Sequence, residues 1–195
     1  TRAVLEDIPV NLINIGDLAS TGNIEAVHTI LRDYPAIPIV FHPKASNDDH
    51  QRTINSALNT LILPLTTLVI VSQSDSLSLV AGADSPAACA QGLLDSGCSN
   101  VLLTDNNRNA NHYINQWYNQ HNMVKHYQWE RLPNNFHGAL CTLAASISAY
   151  LAHGLSIAES IHQAQQFTWK ALQRGRRIGM GELIPDRMHW SRSNE

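Results

Sequence analysis

The segment Asn134-Asn135-Phe136-His137-Gly138-Ala139-Leu140-Cys141 gathers the residue types best suited to chemistry. It leads into an apolar stripe at Leu140, Leu143, Ala144, Ile147 and Leu151, whose spacing is helical. Its small residues therefore fall at a helix N-terminus. Such a start offers free backbone N–H groups and the positive end of the helix dipole, and both suit an anionic phosphate. Cys141 falls in the first turn, where the same dipole favours the thiolate. The combination is a phosphate site with a nucleophile or base beside it. A cysteine early in an amphipathic helix is more often a small core residue, and pattern alone favours that reading.

These groups need a scaffold, and two alternating periodicities supply one. Largely apolar stretches over residues 11–16, 37–41, 67–71 and 100–104 read as short strands, the third continuous and therefore covered on both faces. Between them, residues 21–32 and 48–63 repeat apolar positions at helical spacing, and Pro64 ends the second run. Ser85-Pro86 is a helix start, and Gly97 is a C-terminal stop. Residues 112–132, with Tyr113, Trp117, Tyr118, Tyr127 and Trp129, read as a hairpin, a short helix over 113–121 being the alternative. Two helices close the chain. Gly154 ends the first, and Ser156-Ile157-Ala158-Glu159 opens the second as a capping box. The alternation predicts an α/β fold: a mainly parallel sheet with helices on both faces, in one domain over residues 1–195. In such a sheet, ligands bind beyond the C-terminal strand ends. Those ends carry Gly16-Asp17, His42-Pro43-Lys44, Ser72-Gln73-Ser74-Asp75 and Thr104-Asp105-Asn106.

Composition removes several function classes. With 195 residues, 44% hydrophobic and 15% charged, the chain has material for a core and is not a disordered segment. Its net charge of -3 argues against non-specific binding of nucleic acid or an anionic membrane. The longest apolar stretches are too short to span a bilayer, and the N-terminus lacks the profile of a signal peptide. Cys89, Cys98 and Cys141 are too few for a disulfide framework, so the cytoplasm is the expected compartment. The chain begins at Thr1 without an initiator methionine, as a processed or trimmed product would. The histidines are scattered, and none pairs at metal-ligand spacing, so no direct metal ligand is expected. Arg174, Arg176 and Arg177 could contact phosphate, but read better as a solvated helix end.

The order of these pieces resembles the hydroxymethylpyrimidine/phosphomethylpyrimidine kinases of thiamine biosynthesis, which have a three-layer ribokinase-like fold. His137-Gly138-Ala139-Leu140-Cys141-Thr142-Leu143 stands beside that family's His-Gly-Thr-Gly-Cys-Thr-Leu. The strand ending Ile15-Gly16-Asp17-Leu18 resembles the family's Lys-Ile-Gly-Met-Leu, and Ile39-Val40-Phe41-His42-Pro43 resembles the strand ending in Asp-Pro. Leu63-Pro64-Leu65 with the strand to Val71, the helix end Ala152-His153-Gly154, and the tail from Ile184-Pro185 to Trp190 also fit. The likeness covers nearly all of the chain, while the family's N-terminal quarter, with its first strand and glycine-rich loop, has no counterpart in this sequence.

The resemblance implies transfer of the ATP γ-phosphate, with Mg2+, to hydroxymethylpyrimidine or its monophosphate. Gly138, Ala139 and Leu140 would supply the anion hole, and Cys141 would accept or orient the substrate's hydroxyl proton. His42, Gln73, Asp75 and Thr104 would mark the nucleotide or magnesium region. The implied partner is the small pyrimidine substrate, and the family points to a homodimer. Several positions depart from the family pattern. Leu140 replaces a glycine; were a positive φ needed there, leucine would cost about 1–2 kcal/mol. His42 replaces an aspartate, Ser72-Gln73-Ser74-Asp75-Ser76 replaces Pro-Asn-x-Pro-Glu, and Thr104-Asp105-Asn106 replaces Lys-Gly-Gly. These losses support an alternative: a catalytically weak or silent relative that binds nucleotide or pyrimidine. A third reading takes a pyridoxal-type hydroxymethyl substrate.

Overall fold

Chain punctuation decides where each element starts and stops. The computed structural model describes residues 1–45, 49–105, 111–120 and 122–191. Asp48, where the sequence predicts a helix start, and Asn106 and His121 lie outside the described residues. The chain groups into two compact units, Thr1–Gln128 and Trp129–Glu195.

In the first unit the apolar runs form β1 (Ile13–Ile15), β2 (Ile39–Phe41), β3 (Leu68–Ser72) and β4 (Asn100–Thr104). They pair in parallel in sequence order, with Ile13 opposite Ile39, Val40 opposite Leu68, and Val69 opposite Val101. β5 (His112–Asn119) pairs antiparallel to β4, and β6 (Asn122–Glu130) completes the six-stranded order β1-β2-β3-β4-β5-β6. Residues 112–132 are thus a hairpin, and the helical alternative fails. Trp117 and Tyr118 point to opposite faces of β5, and both are buried.

Parallel neighbours need crossovers, and helices provide them. They are α2 (Thr21–Asp33), α3 (Asp49–Ala57), α4 (Gln73–Leu79) and α5 (Pro86–Asp95); a short α1 (Arg2–Asp7) precedes the sheet. Ile24 and Leu31 of α2, Ile54 of α3, and Leu93 of α5 join Phe41, Val71 and Leu103 in one buried cluster. Val40, Leu68, Ile70 and Leu102 point to the opposite face of the strands and are also buried. Both faces of β2, β3 and β4 are therefore buried, as the unbroken run of β3 predicts for that strand.

Two helices depart from the predicted pattern. The run expected over 48–63 is α-helical only to Ala57; it widens into a π turn over Leu58–Ile62 and tightens into a 3-10 turn over Leu63–Leu65. Pro64 has no N–H to donate, so the α ladder cannot pass through it. The second departure is α4. Residues 72–75 are expected as an open strand end, but β3 runs straight into a helix. Ser72 caps it, its Oγ accepting from the Asp75 N–H at 3.1 Å.

The second unit holds α6 (Ala139–Ala152) and α7 (Ile157–Gln173), which bury Leu143, Ala144 and Ile147 on one and Ile161, Ala164 and Ala171 on the other. The predicted capping box is half made. Ser156 Oγ accepts from the Glu159 N–H, but Glu159 Oε1 accepts from Gln163 Nε2 at 2.6 Å. The tail returns beside the start of α6, with bridges pairing Phe136 with Leu183 and Arg176 with Ile184. Among the described residues, no helix is long and apolar enough to cross a membrane.

Candidate active site

Parallel pairing places the polar residues that follow β1 to β4 at the same end of the sheet. His42 directly follows β2. Its N–H donates to the Ile15 carbonyl at 2.9 Å, and its ring lies over Gly16: a Cβ there would sit 3.2 Å from the imidazole Cε1. Glycine is what allows this approach. The ring is half-buried, and that desolvation pushes its pKa below the ordinary 6.5.

This shift has a consequence for stability. Between the lowered folded value and 6.5, the unfolded chain binds more protons at this residue than the folded one. The contribution is therefore fully present above 6.5 and is lost as pH falls through that window. Denaturant midpoints of the wild type should fall between about pH 7.5 and about pH 5, and His42→Gln should shrink the fall. An unchanged pH dependence in that variant would count against this assignment.

Gln73 and Asp75 lie in the first turn of α4, both half-buried. Ser72 Oγ donates to Asp75 Oδ2 at 2.7 Å while accepting from the Asp75 N–H, so one carboxylate oxygen is engaged locally. Ser72 pairs in register with Thr104 on β4, which brings Gln73, Asp75 and Thr104 to adjoining strand ends. Thr104 Oγ1 donates to the Val71 carbonyl at 3.4 Å. The next residue, Asp105, anchors the hairpin: its N–H donates to Asn115 Oδ1 at 3.1 Å, and its Oδ2 accepts from the Ile114 N–H at 3.2 Å.

The second unit contains the glycine turn. Helices α2, α4, α5 and α7 each begin on a serine whose side chain caps the first turn. Helix α6 does not. It begins on Gly138, in the left-handed region at φ 84° and ψ 13°, with no side-chain cap. Thr142 donates both its N–H, at 3.0 Å, and its Oγ1, at 2.8 Å, to the Gly138 carbonyl, closing the first turn. Among the described residues, the N–H groups of 138–141 have no acceptor. Four donors therefore converge at the positive end of a 14-residue helix.

Leu140 takes a helical conformation here. Among the described residues, Ala19 is the only non-glycine with positive φ, so the strain considered for Leu140 does not arise. The positive φ falls on Gly138, where glycine tolerates it. The core reading of Cys141 also fails. Its side chain is exposed at the third helical position, whereas Cys89 and Cys98 are buried. Burial pushes the Cys98 thiol up to about 12, and its Sγ contacts the Leu93 carbonyl oxygen at 3.2 Å, so it is held as a thiol.

Sequence reasoning missed Arg187. Its Nε donates to Thr142 Oγ1 at 3.0 Å, and its Nη2 lies 3.1 Å from the position a Cβ would take on Gly138. The arginines that the sequence does single out have other work. Arg174 donates to the His189 carbonyl at 2.8 Å, and Arg176 pairs with Asp186 at 3.6 Å, so both hold the tail. No motif marks Arg187, since its partner is 45 residues away.

Comparison with known proteins shows which chains and folds this one is similar to. The thiamine biosynthesis bifunctional protein ThiED of Geobacter sulfurreducens is 27% identical over 187 residues, covering 92% of this chain but 38% of that protein. The hydroxymethylpyrimidine/phosphomethylpyrimidine kinase of Synechococcus elongatus is 28% identical over 191 residues, covering 92% of this chain and 72% of that protein. Among solved structures, pyridoxal kinase of Bacillus subtilis, determined as an ADP complex, superposes with a TM-score of 0.87 at 20% identity, over 97% of this chain and 76% of that one. The fold is thus the ribokinase-like fold expected from the sequence. The family profile of phosphomethylpyrimidine kinase matches residues 1–186, and the chain belongs to that family.

Proposed function

We propose that this chain transfers the γ-phosphoryl group of ATP to the hydroxymethyl group of hydroxymethylpyrimidine or of its monophosphate, as in thiamine biosynthesis. The observation that carries this reading is the uncapped start of α6, where the N–H groups of 138–141 are left without an acceptor behind a left-handed Gly138. Phosphoryl transfer asks little covalent work of a protein; it needs positioning and stabilisation of charge on the oxygens of the moving group. The donors of Gly138, Ala139, Leu140 and Cys141 bind those oxygens. Cys141 Sγ, exposed at the same turn, receives the hydroxyl proton as the substrate oxygen forms its bond to phosphorus. The bond from phosphorus to the bridging oxygen breaks, and ADP leaves with that electron pair.

His42, Gln73, Asp75 and Thr104 make up the nucleotide and magnesium region in this reading. Magnesium held mainly by phosphates and water needs only one or two carboxylates from protein, and Asp75 is a half-buried one in the first turn of α4. When bound, the ion supplies charge neutralisation on the phosphates.

Incubating the protein with ATP, Mg2+ and hydroxymethylpyrimidine, with pyridoxal in a parallel reaction, tests the assignment. Phosphorylated pyrimidine is the expected product. Product from pyridoxal alone would move the substrate to the pyridoxal class. No product from a folded sample that ADP stabilises thermally would leave only the nucleotide-binding reading, for which the engaged Asp75 oxygen and the structural use of Asp105 already speak.

A further inference from the structure

Helix α6 holds a cation at the wrong end. A positive charge is disfavoured at a helix N-terminus, where the dipole is itself positive. Yet the Arg187 guanidinium is fixed against the first turn of α6 by its Nε bond to Thr142 Oγ1, with Nη2 beside Gly138. Among the described residues, no carboxylate pairs with it, and its terminal nitrogens have no hydrogen-bond partner. The neighbouring Asp186 does not neutralise it: that carboxylate accepts from the Met188 N–H at 3.2 Å and faces Arg176.

The placement is imposed rather than incidental. Arg187 and Met188 are exposed, but Asp186 before them and His189 after them are buried. The Asp186 N–H donates to the Ala171 carbonyl at 2.8 Å, and the His189 ring packs on Phe167 with centroids 4.9 Å apart. His189 Nδ1 also lies 3.1 Å from the Asp186 carbonyl oxygen. The turn is pinned at both ends and projects the arginine over the glycine. Two positive features forced together become favourable once an anion lies between them, and a guanidinium binds phosphate oxygens with directed, charge-assisted hydrogen bonds.

We propose that Arg187 is a phosphate-binding residue of the Gly138 turn, contributing a charged donor to the phosphoryl group that the backbone amides hold. This rests on the anion-hole reading given above. Thr142 acts as the positioning residue, joining the Gly138 carbonyl and the guanidinium through one hydroxyl.

Titration of the full chain with inorganic pyrophosphate at low ionic strength tests this, alongside Arg187→Gln, Arg187→Lys and Thr142→Val, with circular dichroism as the check of folding. Arg187→Gln should weaken pyrophosphate by about 10- to 100-fold, the range of a charge-assisted hydrogen bond. Arg187→Lys should recover part of that loss, and Thr142→Val should lose several-fold with the charge retained. With ATP as substrate, the same order should appear in KM. If the wild type binds pyrophosphate and folded Arg187→Gln binds it equally well, the role of Arg187 is overturned while the amide turn stands. If the wild type binds no pyrophosphate at all, the anion-hole reading falls, and Arg187 with it. Should Arg187→Gln fail to fold, equal affinity in Arg187→Lys, Thr142→Val and the wild type would overturn the proposal.

Discussion

Replacing Gly138 with valine is expected to lower kcat by at least about 100-fold, the scale of losing one preorganised oxyanion donor. Two effects combine. At φ 84° the residue sits in the left-handed region, which costs an L-residue about 1–2 kcal/mol and a β-branched one more. The new Cβ would also lie 3.1 Å from Arg187 Nη2, so either the guanidinium or the turn must move. Relief of the strain rotates the peptide planes of 138 and 139, and the N–H groups no longer converge. Gly138→Ala carries the same Cβ without the branch, so it should lose less activity and less of the denaturation midpoint than valine. Stopped-time assays with equilibrium unfolding on the same preparations measure both. A valine variant that unfolds more easily yet turns over at the wild-type rate would show that the glycine serves only to start the helix.

The sheet was readable because its signals are local. Four apolar runs, each bounded by polar or turn residues, became β1 to β4, and Asn100–Thr104 matches its predicted limits. Serines 85 and 156 capped helices where predicted because a hydroxyl three residues before a free N–H needs no tertiary help. Helix α4 was not readable: Gln73–Leu79 buries only Ser76 and Leu79, too few apolar positions to leave a periodic trace. At the candidate site, the glycine turn was legible and its surroundings were not. The stripe through Leu140, Leu143, Ala144 and Ile147 sets the buried face of α6, and Cys141 lies about 100° away from Leu140 around the helix, enough to expose it. Arg187 depends on the tail folding back over α6, information that resides in the buried anchors Asp186 and His189 rather than in any spacing.

Cys141→Ala should then remove the proton acceptor while leaving the fold and the phosphate grip in place. The side chain is exposed, so the change in stability should stay within about 0.5 kcal/mol. The amide donors belong to the backbone and survive the substitution, so KM for ATP should move little. The loss belongs in kcat, by about 100-fold or more, as for a positioned general base. Cys141→Ser should keep a fraction of the rate, because a hydroxyl can still orient the substrate oxygen but holds its own proton far more tightly than a thiol. Exposure supplies an independent check. Iodoacetamide at neutral pH should modify Cys141 and spare Cys89 and Cys98, which are buried, the latter with its thiol pushed up to about 12. The alkylated wild type should lose activity in proportion to modification, and added pyrophosphate should slow the reaction by crowding the same turn. An alanine variant with undiminished kcat would reduce Cys141 to a bystander and leave phosphoryl transfer here to positioning by the amides alone.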